Sequence, residues 1–390
     1  MIDLQKLSET FAEMSAEAPR FFSAPGRVNL IGEHTDYNEG FVLPIAIDRR
    51  TVVAAARRND RTIRVRSIDF DEEASLSLDA ASHDGQPDWF RYVAGVARVL
   101  NDELRLPLMG CDLAISSALP MGAGLSSSAA LEVSVGLALL NLSAAEVNPR
   151  SLALAAQRAE HVYAGTRCGI MDQFAAVFGQ KDHALLIDCR SLEATPIQLQ
   201  LPEYAIVVCD TKVKHELAAS AYNDRRAECE LAVAQLRKAV PEIRSLRDVT
   251  VNDLERFAEL LPAPLGRRAR HVVSENDRTI RAAAALANSD VTEFGVLMRQ
   301  SHESLRHDFE VSCQELDTMV ELALSQQGVC GARMTGGGFG GCTVNLVRRD
   351  VVPEFQEFIT AGYKRETGLD AETYLVAAAS GAHEISERPA

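Results

Sequence analysis

The run Pro120-Met121-Gly122-Ala123-Gly124-Leu125-Ser126-Ser127-Ser128-Ala129-Ala130 lies between a strand-like stretch, Cys111–Ser117, and an apolar helical stretch, Ala129–Leu142. Glycine lets a backbone approach a ligand closely, and a helix start presents N–H groups that have no intrahelical partner. Both features suit a phosphate group. The hydroxyls of Ser126, Ser127 and Ser128 can bond phosphate oxygens or ligate Mg2+. The run is not a Walker loop, since the chain contains no Gly-x-x-x-x-Gly-Lys-Ser/Thr, and its spacing differs from the dinucleotide Gly-x-Gly-x-x-Gly. On this run alone a plainer reading stays open, a serine N-cap after a glycine turn.

Upstream stands Ala24-Pro25-Gly26-Arg27-Val28-Asn29-Leu30-Ile31-Gly32-Glu33-His34-Thr35-Asp36-Tyr37-Asn38, with Phe41-Val42-Leu43 just beyond. Arg27 is a fixed cation with forked donors. Glu33, His34 and Asp36 are acceptors or switchable donors of the kind that suit sugar hydroxyls. Downstream, Met334-Thr335-Gly336-Gly337-Gly338-Phe339-Gly340-Gly341-Cys342-Thr343 would be a flexible linker if its flanks were polar. Its flanks are apolar and strand-like, which predicts a tight turn held against another segment. A quieter cluster is Glu160-His161 followed by Gly169-Ile170-Met171-Asp172-Gln173-Phe174. Glu160 falls late in a helical stretch. Asp172 follows a glycine turn, where an aspartate by itself reads as a helix N-terminal residue.

The 390 residues exceed one ordinary domain and fit two of about 150–200 residues each. A formal net charge of −15 argues against a nucleic-acid partner and against an anionic membrane surface. The eight cysteines form no Cys-x-x-Cys pair and no zinc pattern, which points to reduced thiols and a cytoplasmic setting. The first residues lack the basic and apolar regions of a signal peptide, and no apolar run approaches the length of a membrane span. Leu4, Leu7, Phe11 and Met14 recur at helical spacing. Strand-like stretches then mix with helical ones in the first half, and the second half is richer in helix. The pattern is α+β and lacks regular βαβ alternation. The stretch Cys189–Glu203 is the best boundary, dividing the chain into 1–195 and 196–390.

The segments taken together resemble the galactokinase family of the GHMP kinase superfamily. The three superfamily motifs occur in order, at Gly26–Leu30, Pro120–Ala130 and Thr335–Cys342, and the resemblance spans Pro25 to Thr343. The run from Gly26 to Asn38 matches the galactokinase signature without departure, and so does Gly169–Phe174. The resemblance implies a ribosomal-protein-like N-terminal domain and a ferredoxin-like C-terminal domain, with the active site between them. It implies a monomer that transfers phosphate from ATP to the C1 hydroxyl of galactose. In that reading Asp172 is the base, with Arg27 beside it. Glu33, His34, Thr35, Asp36 and Tyr222 would hold the sugar. Ser67 and the run Gly122, Ala123, Gly124, Leu125, Ser126, Ser127 and Ser128 would hold ATP, while Ser128 and Glu160 would ligate Mg2+. Two alternatives remain open at this point. One is a sibling kinase acting on N-acetylgalactosamine or arabinose, and the other is a non-catalytic sensor of galactose and ATP.

Overall fold

The structure, a computed structural model, describes residues 2–80, 86–214 and 218–386. Its largest sheet has six strands, in the order 383–385, 20–29, 44–57, 111–117, 62–67 and 72–77. The pair 62–67 and 111–117 is parallel, and the other pairs are antiparallel. Strand Thr62–Ser67 buries Ile63 and Val65 and turns Arg64 and Arg66 outward, as its alternation predicts. Strand Arg20–Asn29 carries no such alternation, because both its faces are covered. Phe21 packs with Leu7 and Phe11 of the N-terminal helix Leu4–Met14, while Phe22 and Ala24 join the core on the other face. That core is filled from helices Phe90–Arg98, Ser127–Leu142 and Pro149–Ala159.

A second sheet has four antiparallel strands in the order 329–335, 340–348, 204–214 and 372–376. In chain order these strands lie 2-3-1-4, the ferredoxin-like arrangement. Helices Gln314–Ser325 and Val352–Thr367 pack on one face through Met319, Phe355, Ile359 and Tyr363. A small sheet joins strand 41–42, from within the first sheet's span, to 183–188 and 193–198, which lie between the two larger sheets in sequence. The strand Glu193–Gln198 runs across the expected division at 195, and strand His383–Ile385 returns to the first sheet beside Arg20–Asn29.

The stretches expected as uniform helices at Trp89–Glu103, Arg150–Tyr163 and Val291–His307 each end in a π turn, at Val99–Glu103, Glu160–Ala164 and Leu305–Phe309. Such turns often mark functional positions, and the second begins at Glu160. The expected helix His215–Val240 is observed as Ala218–Leu236, and its first three positions lie outside the described residues. Sequence patterning missed the ten-residue strand Arg20–Asn29 and the long helix Leu265–Ala287. The helix buries Arg268, His271, Glu275, Asn276 and Thr279 along with its apolar residues, so its inward face reads as polar.

Candidate active site

Three segments far apart in sequence meet around one cavity of about 380 Å3. Its walls come from the loop after strand Arg20–Asn29, from the glycine-serine loop, and from the turn ahead of helix Met171–Phe178, with Tyr222, Gly336 and Gly337 added from the second half. Helix Met171–Phe178 is anchored by buried Phe174 and Ala175, which fixes Asp172 in its first turn. The positive end of the helix dipole there favours a carboxylate.

Arg27 holds that carboxylate with two bonds, Nε to Oδ1 and Nη2 to Oδ2, each 2.7 Å. Its third donor, Nη1, reaches Gly124 O at 2.6 Å. Ser126 Oγ donates to Asp172 Oδ2 at 2.5 Å. Ser126 therefore does not cap the following helix, whose N-cap makes no side-chain hydrogen bond. The first amides of helix Ser127–Leu142 are left facing the loop, the condition for binding an anion. The third glycine run packs against this loop. A Cβ on Gly336 would lie 3.2 Å from Gly124 O, and one on Gly341 would lie 3.2 Å from Ala123 O. The turn is thus held against the glycine-serine loop, and a linker is excluded.

The Gly32–Tyr37 loop contributes Glu33, His34 and Asp36 to the cavity. Glu33 is ion-paired to fully buried Arg333, and Glu33 Oε1 accepts from the Gly336 N–H at 3.0 Å. Burial raises its pKa in spite of Arg333. His34 lies 2.8 Å through Nδ1 from Tyr37 OH and packs by its ring on Tyr222 and Phe309. Burial lowers its pKa to about 3, so the imidazole is neutral. Asp36 is pushed up to about 6, by burial first and then by Asp172. Tyr222 reaches in from helix Ala218–Leu236.

Glu160 Oε1 accepts from Ser128 Oγ at 3.3 Å and Oε2 from Gln173 Nε2 at 2.9 Å. Burial and then Asp172 raise its pKa to about 7. These two side chains offer only hard oxygens, as Mg2+ requires. Among the described residues no three His, Cys, Asp or Glu side chains gather as a complete metal cage. A pair of protein ligands completed by phosphate oxygens and water is the usual arrangement for Mg2+.

Not every expected residue faces this cavity. Thr35 is buried, with its hydroxyl against Gly32 O and Phe41 O, where it braces the turn. Ala123 and Leu125, within the glycine-serine loop, are buried. Ser67 lines a second cavity of about 380 Å3 that shares Tyr92, Ser127 and Ser128 with the first. Its walls include Asp69, Phe70, Trp89, Ile115 and Met121, none of them singled out from sequence. Phe70 is 43% exposed and lies parallel to Trp89, ring centroids 5.9 Å apart. One signal was available, since Trp89 is the single tryptophan of the chain and is separated from Tyr92 by one helical turn.

The galactokinase galactose-binding signature matches residues 9–57, the GHMP kinase N-terminal domain residues 91–180, and the GHMP kinase C-terminal domain residues 282–365. A galactokinase of Chloroflexus aggregans is 50% identical over 382 residues, 98% of this chain and 97% of its own length. One of Roseiflexus sp. is 47% identical over 388 residues, 99% of this chain and 98% of its own length. The crystal structure of Lactococcus lactis galactokinase complexed with galactose superposes with a TM-score of 0.93 at 36% identity, covering 98% of this chain and 100% of that one. Methanococcus jannaschii mevalonate kinase shares the fold, with a TM-score of 0.64 at 19% identity, covering 93% of this chain and 99% of that one.

Proposed function

Because the chain belongs to the galactokinase family of the GHMP kinases, we propose that its Asp172 takes the proton of the galactose C1 hydroxyl as that oxygen attacks the γ-phosphorus of ATP. The protein is an ATP-dependent kinase of galactose. In the proposed step the C1 O–H bond breaks and its proton passes to Asp172. The new C1 O–P bond forms, and the bond from the γ-phosphorus to ADP breaks. The observation that carries this reading is the Arg27–Asp172 pair, set between the hydroxyl-binding loop and the phosphate loop.

The Arg27 fork and the Ser126 hydroxyl fix the Asp172 carboxylate in place. Positioning of this kind suits a loose transition state in which the sugar proton leaves late. Arg27 also presents positive charge beside Gly124, where the transferring group would pass. Asp36, neutral His34 and Glu33 would orient the sugar, with Tyr222 closing the cavity from the second half. Thr35 acts in this proposal by shaping their turn. The loop Gly122–Ser128 and the open amides of its helix would hold the phosphates. The second cavity, with its flat pair Phe70 and Trp89 and the hydroxyl of Ser67, suits a purine base and ribose. Ser128 and Glu160 would hold Mg2+, which neutralises charge developing on the β- and γ-phosphates when bound.

The proposal also takes the protein as a cytoplasmic monomer, with division near residue 195 into a half bearing the sugar and phosphate loops and a half bearing the third glycine run. Among the described residues, no helix is long and apolar enough to cross a membrane. The test of the chemistry is ADP release with Mg·ATP and galactose, N-acetylgalactosamine, arabinose or glucose. Turnover should be strongest on galactose, and Asp172→Asn should lower kcat by at least about 10²-fold. Near-normal turnover by that variant would remove Asp172 as the base.

A further inference from the structure

The helix Leu265–Ala287 touches neither cavity, yet one of its faces grips the loop that carries Glu33, His34 and Asp36. Positions 271, 275, 276 and 279 lie on one side of a helix by their spacing. His271 Nε2 stands 3.1 Å from Glu33 O, and the Gly32 N–H donates to Glu275 Oε1 at 3.0 Å. The Phe41 N–H donates to Asn276 Oδ1 at 2.9 Å. Glu275 is itself fixed by Ser301 Oγ at 2.5 Å and by Arg278 Nε at 2.7 Å. The loop is matched to this approach at both stems. Gly32 has φ +102°, and a Cβ there would meet Phe41 O at 2.7 Å and Thr279 Oγ1 at 3.0 Å. A Cβ on Gly40 would meet Asn276 Oδ1 at 2.2 Å.

From this geometry we infer that Glu275, Asn276 and His271 are positioning residues for the sugar. They hold the backbone of the hydroxyl-binding loop from the opposite half of the chain, so sugar affinity depends on side chains that never touch sugar. The inference rests on the sugar-binding reading of the Glu33–Asp36 loop. A 1 Å misplacement of such a loop is enough to spoil orientation, and the phosphate loop, lying on other elements, is left as it was.

Asn276 is the residue to change, because its removal strands one loop N–H without taking a charge from the core. Asn276→Ala should raise the galactose KM about tenfold, which is ~1.4 kcal/mol, the order expected for a lost acceptor of a sequestered N–H. The ATP KM should stay within about twofold, as uniform binding of the other substrate is untouched. Asn276→Asp keeps the acceptor and should recover most of the galactose affinity. Val272→Ala, on the face of the same helix buried in the helical core, serves as a control for plain destabilisation. It should lower Tm and leave the galactose KM unchanged. Equal movement of both KM values in Asn276→Ala, or no movement of the galactose value, overturns the inference. If Asp36→Asn also leaves the galactose KM unchanged, the fault lies in the sugar-loop reading and both fall together.

Discussion

Gly169 offers a sharp test of the sugar site, because the consequence of one methyl group can be worked from distances. A Cβ at this position would lie 1.7 Å from Asp36 Oδ2 and 1.9 Å from its Cγ. Ordinary contact needs about 3.5 Å, so one partner must retreat by roughly 1.5–2 Å. Gly169 does not have a positive φ, so alanine meets no backbone penalty of its own. The turn before Gly169 is tied down, since Cys168 O lies 2.7 Å from His161 Nε2 and accepts from Gln157 Nε2 at 3.3 Å. The Asp36 backbone is tied down too, within a short 3₁₀ turn. What can move is the carboxylate, away from the Tyr37 N–H that it accepts at 2.9 Å and away from the sugar position. A hydrogen bond to a charged group contributes about 1.5–3 kcal/mol, so Gly169→Ala should cut kcat/KM for galactose roughly 10- to 150-fold. Coupled ADP-release kinetics with each substrate varied in turn would measure this, and the ATP KM should hold steady. If the methyl acts through Asp36, its cost should largely vanish in the Asp36→Asn background. Parent-like galactose kinetics, or costs that simply add in the double variant, would refute the reasoning.

Asp36 also sets a pH dependence. Its pKa of about 6 lies above the ordinary value near 3.9, so the fold favours its neutral form, and ionisation costs stability as pH rises from about 4 to about 6. Asp36→Asn should therefore be more stable than the parent at pH 8, with the gap closing toward pH 4 in thermal melts. Galactose affinity of the parent should rise through about pH 6 as the carboxylate becomes a full acceptor, and calorimetry should find that rise gone in Asp36→Asn. Glu160→Ala should shift the Mg2+ titration of activity to higher concentration, and an unchanged titration would remove Glu160 from the metal site. Phe70→Ala should raise the ATP KM roughly 5- to 100-fold, the range for a lost base stack, and leave the galactose KM alone. Equal shifts in both would assign Phe70 a packing role only.

The glycine-rich loops and Arg27 stood out in the sequence because their chemistry is unusual for their surroundings, whereas Asp172 read by itself as a helix N-terminal residue and was singled out only by the family resemblance. A forked cation, a carboxylate and a serine run between apolar stretches have few structural explanations. Alternating strands such as Thr62–Ser67 were legible for the opposite reason, since one wet face and one dry face leave a period in the sequence. Strand Arg20–Asn29 was hidden because both faces are dry, and strand Glu193–Gln198 because it is polar and half wet throughout. Helix Leu265–Ala287 was hidden by the side chains that bind the sugar loop. Thr35 shows the limit of motif reading. It belongs to the signature by position, and its hydroxyl lies against backbone oxygens of its own turn. The second cavity, proposed above for the nucleotide, was missed at Phe70 because a single exposed apolar residue is ordinary until the fold lines several of them along one wall.

The electrostatics of the site explain why so acidic a chain can bind an anionic nucleotide. Asp36, Glu160 and Asp172 share one cavity with Arg27, and the Arg27 fork is already committed to Asp172. Glu132, fully buried behind them, has its pKa raised by burial and by Glu160. Burial first, and repulsion from Asp172 second, shift both Asp36 and Glu160 upward. On the proposed reading, the site is acceptor-rich where the sugar would sit and offers backbone N–H groups where the phosphates would sit. Such dipoles attract phosphate without adding a second full positive charge beside the one that Arg27 already places on Asp172. A lysine in the loop, as a Walker motif supplies, would add a cation that competes with Arg27 for these carboxylates. Substituting Ser127 by lysine should accordingly weaken turnover in spite of its added attraction for phosphate.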